Sequence, residues 1–269
     1  MSDSNDVESA TAMVYVARHH HRLGDMDDAE KAFACAAARF RNCGQEREWA
    51  IARGGVADIL KARGQFDAAL NVLRKQVLPV LEHFDDASAK AVTQGKIADI
   101  LKSCGQLDEA LRIHREEELP VHDRLGDLGE KVVTLGKIAA ILQTRGQLTE
   151  ALELQEQRMP IARRLGDIDS LAHIMFSTAW LRLESGERET GGLPRIHDEL
   201  AEAFAISVTL SRPDFIAGTG LLLAQVLAMG GRPDPALVVL AQAEKAFTKL
   251  DDAVGLAHVR ELRATIGGA

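Results

Sequence analysis

Aromatic residues are scarce in this 269-residue chain, with one tyrosine, two tryptophans and eight phenylalanines, while alanine and leucine are abundant. Sheets draw on aromatic and β-branched side chains, so this balance favours helices packed through small residues. Positive charge is also short: 32 Lys and Arg against 40 Asp and Glu leave a net charge of -8. No basic run exceeds two residues, which excludes the concentrated cationic surface that nucleic acid requires. No apolar stretch approaches the roughly 20 residues of a membrane span. The first ten residues, MSDSNDVESA, are acidic and lack the basic-then-apolar order of a secretion signal. Cys35, Cys43 and Cys104 are an odd, scattered set without a CxxC, which fits reduced thiols in a cytoplasmic setting.

Repetition is what the chain has in plenty. GKIADILKSCGQLDEAL begins at Gly95, and GKIAAILQTRGQLTEAL follows 41 residues later at Gly136, identical at 12 of 17 positions. GGVADILKARGQFDAAL begins 41 residues earlier, at Gly54. The marker glycines Gly24, Gly64, Gly105, Gly146, Gly186 and Gly231 recur at intervals of 40, 41, 41, 40 and 45. Seven residues before each stands alanine, from Ala17 to Ala224, and five after stand Ala29, Ala69, Ala110, Ala151, Gly191 and Ala236. Apolar residues at helical spacing precede each glycine, as in Ile97, Ile100 and Leu101, and a second amphipathic segment follows it. Each unit is therefore a helix, a glycine turn and a second helix. One such hairpin cannot bury its own apolar face, so the hairpins must stack as a solenoid.

Two departures refine the pattern. Pro79, Pro120 and Pro160 fall in register deep in the second helices, predicting a tolerated kink, with a helix end at each proline as the rival reading. The 45-residue interval carries SGERETGGLPRIHDEL, predicting a longer turn between Glu184 and Leu193. Six hairpins are expected over 6–44, 45–85, 86–126, 127–166, 167–212 and 213–250, closed by a capping helix over 252–266, all within one domain spanning 1–269.

Chemistry is sparse. The chain has no phosphate-binding glycine loop, GxSxG or HExxH motif. Consecutive helical residues diverge by about 100°, so His19, His20 and His21 cannot converge on a metal ion. His114, Glu118 and His122 share one helical face, but Pro120 lies among them, and no metal site is expected. REEEL over 115–119 reads as a solvated helix face, and Cys104 as partly exposed. The expectation is no enzyme, no cofactor and no metal.

A small residue seven before a glycine, Leu or Phe two after it and Ala five after it resembles the tetratricopeptide (TPR) repeat. Ala98, Gly105, Leu107 and Ala110 carry the resemblance, as do Ala57, Gly64, Phe66 and Ala69. The longer period is similar to that of kinesin light chains and many bacterial signalling TPR proteins. The family's early tryptophan is absent, its place taken by Arg53, Gln94 and Leu135. The resemblance implies an all-α, right-handed solenoid whose first helices line a concave, partner-binding face. Register from each glycine then nominates Tyr15, Arg18, Asp58, Lys61, Lys96, Asp99, Lys102, Lys137, Gln143, His173, Phe176, Trp180, Leu221 and Gln225. Gly54, Gly95 and Gly136 are expected to open the floor of the middle repeats. The carboxylate clamp of chaperone-binding TPRs is not reproduced, because Gly95, Asp99, Gly136 and Ala140 hold its positions. The resemblance thus implies an adaptor for a protein or peptide partner, while the charge and the lack of a long apolar run argue for no nucleic acid and no membrane. A self-assembling homo-oligomeric scaffold and a regulatory sensor of a small signalling peptide are the alternatives.

Overall fold

The computed structural model describes residues 2–187 and 191–267, and among these every regular element is helical. Its contacts divide the chain into two compact units, residues 1–137 and 138–269. The first unit holds α1 (Ser2–Leu23), α2 (Met26–Asn42) and α3 (Glu46–Ala62). Next come α4, which runs Phe66–Val72, Leu73–Val77 and Leu78–His83 without a break, and α5 (Ala87–Ser103). Helix α6 runs Leu107–Ile113, His114–Glu118 and Leu119–Leu125, and the unit ends inside α7 (Leu128–Thr144). The second unit contains the rest of α7 with α8 (Leu148–Leu165), α9 (Ile168–Glu184) and α10 (Leu193–Thr209). It continues through α11 (Pro213–Met229), α12 (Pro233–Lys249) and α13 (Ala253–Gly267). Within each unit a helix packs on its neighbours in sequence, and alternate helices also touch, as α3 with α5 and α11 with α13 do. That one-dimensional order is an α-solenoid.

The repeat residues do what their spacing predicts. Ala17, Ala57, Ala98, Ala139, Ala179 and Ala224 are at most 1% exposed, as are Ala29, Ala69, Ala110, Ala151 and Ala236. A methyl at each crossing lets helix axes approach to about 8–10 Å, which a larger side chain would prevent. All six marker glycines have positive φ, from 69° to 85°, a left-handed turn that only glycine enters cheaply. A second series of left-handed turns ends the second helices at Gly44, Asp85, Gly126, Gly166, Ser211 and Asp251. Aspartate follows at four of these, and its carboxylate caps the next first helix. Asp86, Asp127, Asp167 and Asp252 accept the N–H three residues on at 2.9–3.0 Å. The Ala89 N–H, aided by Arg47, holds the Asp86 carboxylate below its usual range.

The helices continue through the prolines. In α4 and α6 a π turn, Leu73–Val77 and His114–Glu118, lies directly before Pro79 and Pro120. Helix α8 passes Pro160 as uninterrupted α-helix. The count explains the difference: fifteen residues separate glycine from proline in Gly64–Pro79 and Gly105–Pro120, but fourteen in Gly146–Pro160. A π turn absorbs one extra residue without breaking the helix, so the longer repeats contain one and the shorter does not.

In the second unit, Arg182 is almost wholly buried and meets Glu156 at 2.6 Å, Glu187 at 2.8 Å and Glu199 at 3.2 Å. Glu199 is itself largely buried, and burial raises its pKa despite Arg182 and Arg195. Arg182→Ala leaves that carboxylate without its main counter-charge, so urea denaturation should show a loss of about 3–5 kcal/mol.

Candidate functional site

In the first unit the first helices carry a regular ladder of ion pairs. Lys96 on α5 reaches Asp58 on α3 at 2.6 Å, and Lys137 on α7 reaches Asp99 on α5 at 3.2 Å. Both links run from a lysine nine residues before one turn glycine to an aspartate six residues before the previous one. Lys61 lies 3.9 Å from Asp99. Four of the nominated partner-binding residues therefore neutralise one another in pairs. Lys102 makes no ion pair among the described residues. Tyr15 is 66% exposed on α1.

Beneath the ladder lies a buried polar cluster. His114, Glu118 and His122 on α6 are at most 1% exposed. Within the acidic run Arg115 and Glu116 are exposed as expected, and the correction concerns Glu118, which turns inward. A carboxylate only accepts, so His114 Nδ1 carries the proton it shares with Glu118 Oε2 at 2.5 Å. Lys137 Nζ lies 3.6 Å from Glu118 Oε1, and Asp99 Oδ1 lies 3.7 Å from His114 Nε2. Burial pushes the Glu118 pKa up, but the His114 hydrogen bond and the charges of Lys137, His114 and His122 outweigh it and hold it below the usual range. His114 Nε2 and both ring nitrogens of His122 have no hydrogen-bond partner.

The glycines of the first unit's floor differ in what fills their side-chain space. A Cβ on Gly95 would overlap the Glu118 carboxylate, and one on Gly55 would overlap the Phe33 ring. At Gly54 the only near atom is Lys96 Nζ, at 3.7 Å. The floor is thus open at Gly54 and closed at Gly95, although both stand ten residues before a turn glycine. Among the described residues no cluster of His, Cys, Asp or Glu has geometry that could hold a metal ion.

One cavity of about 250 Å³ opens on this face. Its walls come from the first helices α1, α3 and α5 through Arg18, Asp58 and Lys96, and its floor includes Phe33, Val77 and Leu81.

The second unit presents an aromatic face. On α9, His173 packs against Phe215 of α11 with ring centroids 4.0 Å apart and planes tilted by 56°, and Phe176 meets the same ring at 5.9 Å. Burial disfavours the His173 imidazolium, lowering its pKa. Trp180, one turn beyond Phe176, is half-buried, as are Leu221 and Gln143. Gln225 is exposed and borders a separate apolar cavity of about 640 Å³ with Met229, Leu262 and Ile266. Phe215 was missed by sequence reading because its register lies outside the repeated motif. Its place after the Pro213 helix start was the available signal.

Comparison with known proteins agrees with the fold. The tetratricopeptide-repeat family description matches residues 8–75 and, in a second form, 132–165. No curated protein sequence matches the chain. Among solved structures, the nearly identical TPR-like repeats of a candidate kinesin light chain from Podosopora anserina are similar, with a TM-score of 0.57 at 18% identity. That match covers 77% of this chain and 98% of the other. BtubC (BKLC) from P. vanneervenii aligns over 100% of this chain and 94% of its own, at 16% identity and a TM-score of 0.62. A Rap protein complexed with Competence and Sporulation Factor aligns over 95% of this chain and 74% of its own, at 12% identity and a TM-score of 0.67.

Proposed function

We propose that the chain, which matches the tetratricopeptide-repeat family over residues 8–75 and 132–165 and shares that fold, is a non-enzymatic adaptor binding a protein or peptide partner through its first-helix faces. The observation that carries this reading is the aromatic face of α9 and α11. Phe176, Trp180 and Phe215 are three of only eleven aromatic residues in the chain, and they lie together on first helices. Rigid aromatic anchors supply large contact area at small conformational cost, which is why they dominate binding hot spots. The Rap complex supports a peptide or protein partner, since a structure of this architecture holds a bound factor. No described helix is long and apolar enough to cross a membrane. A cytoplasmic setting is part of the proposal and is supported by the odd, scattered set of free cysteines.

Affinity purification from the native host with mass spectrometry should return a partner. Trp180→Ala should then weaken its retention at least tenfold, a loss of about 1.4 kcal/mol or more. Retention unchanged by Trp180→Ala removes the aromatic face from the reading.

A further inference from the structure

The ion-pair ladder has a missing rung. The rule that joins Lys96 to Asp58 and Lys137 to Asp99 also defines a step between the first two repeats. There the acid position, six residues before Gly24, is Arg18, and the cation position, nine before Gly64, is Gly55. The acid has become a base and the base has lost its side chain. Arg18 is exposed and has no carboxylate partner among the described residues. Asp58, on the same wall, is committed to Lys96 at 2.6 Å.

This unpaired cation borders the 250 Å³ cavity, whose lining is largely apolar, including Val92 and the buried Phe33, Val77 and Leu81, with His21 and Thr93 among its polar members. Phe33 fills the space that a Gly55 side chain would take, so the glycine shapes the cavity floor. A guanidinium over an apolar recess suits a ligand with a carboxylate beside a branched aliphatic group. At the ladder position Arg18 gains most from an incoming anion, since Lys96 and Lys137 must first surrender their aspartates.

We propose that this cavity is a peptide subsite that takes an acidic residue and its aliphatic neighbour, the ligand's carboxylate supplying the rung that Arg18 lacks. The site rests on the adaptor reading but uses a different unit and different residues. Two sources share the chemistry, an Asp or Glu side chain and a peptide's terminal carboxylate.

Panning two random dodecapeptide libraries against the full chain, one displayed with a free C-terminus and one fused through it, tests it. The retained peptides should be enriched in Asp or Glu next to Leu, Ile or Val, or, where the C-terminus is free, in Leu, Ile or Val at that end. Remade as synthetic peptides, they should bind Arg18→Glu at least tenfold more weakly than the unmodified protein. Arg18→Gln should be intermediate, and Val92→Trp, which fills the recess without changing charge, should also weaken binding. Amidating the terminus leaves affinity unchanged if the side chain is the source and abolishes it if the terminal carboxylate is. Peptides with neither enrichment, or with equal affinity for Arg18→Glu in a variant that melts like the parent, overturn the subsite and leave the adaptor standing. Failure to retain any peptide overturns both the subsite and the peptide form of the adaptor reading.

Discussion

Gly95→Ala is expected to destabilise the protein by about 1–3 kcal/mol, while Gly54→Ala, one repeat earlier, stabilises it by about 0.5–1 kcal/mol. Alanine gains helix propensity at both sites. At Gly54 the new methyl would meet only the end of Lys96, at ordinary contact distance. At Gly95 it would meet the carboxylate of Glu118, which is buried and tied to His114, so the acid must abandon a charge-assisted hydrogen bond to move aside. Urea denaturation of the two variants reads the sign directly. In a Glu118→Ala background the Gly95→Ala penalty should vanish, a coupling that a double-mutant cycle isolates. Equal effects at the two glycines contradict the account.

Replacing the buried cluster by what the preceding repeat carries should raise stability. His114, Glu118 and His122 stand 41 residues after Leu73, Val77 and Leu81, and all six residues are buried. The molecule thus contains its own apolar control. Three ring nitrogens lack a hydrogen-bond partner, His114 Nε2 and His122 Nε2 having only carboxylates at 3.7 and 3.9 Å. A buried polar group left without a hydrogen bond costs about 1–3 kcal/mol, and apolar replacement of buried ionic groups is often neutral or stabilising by about 1–4 kcal/mol. His114→Leu/Glu118→Val/His122→Leu is therefore expected to gain about 1–4 kcal/mol. Glu118→Val alone should lose stability, because it strips His114 of its acceptor. The pH dependence has a definite sign. The folded-state pKa of Glu118 lies below its ordinary value of 4.5, so its contribution is complete above about pH 4.5 and is lost as pH falls through the folded value. The triple variant lacks this component, and its advantage should widen on acidification. Guanidinium melts at pH 7 and pH 4 check both claims.

How far the sequence could be read depends on whether a residue acts through its neighbours in sequence or across the fold. The turn glycines and paired alanines were legible because their roles, a left-handed turn and a close helix crossing, recur with the period. The second turn series was written just as plainly in HFDD, RLGD and KLDD, but its Gly, Asp and Ser vary and hid the common geometry. The nominated face residues lie on first helices, yet their pairing was invisible, since Lys96 meets Asp58 across 38 residues.

The order of helices, their turns and the small-residue crossings belong to the sequence alone, because each follows from local conformational preference repeated at a fixed interval. Which glycine is filled, which lysine is spoken for and which arginine is left without an acid were decided only by tertiary structure. The reason is that burial and Coulomb attraction act between side chains brought together by stacking, and near-identical repeats differ at those contacts.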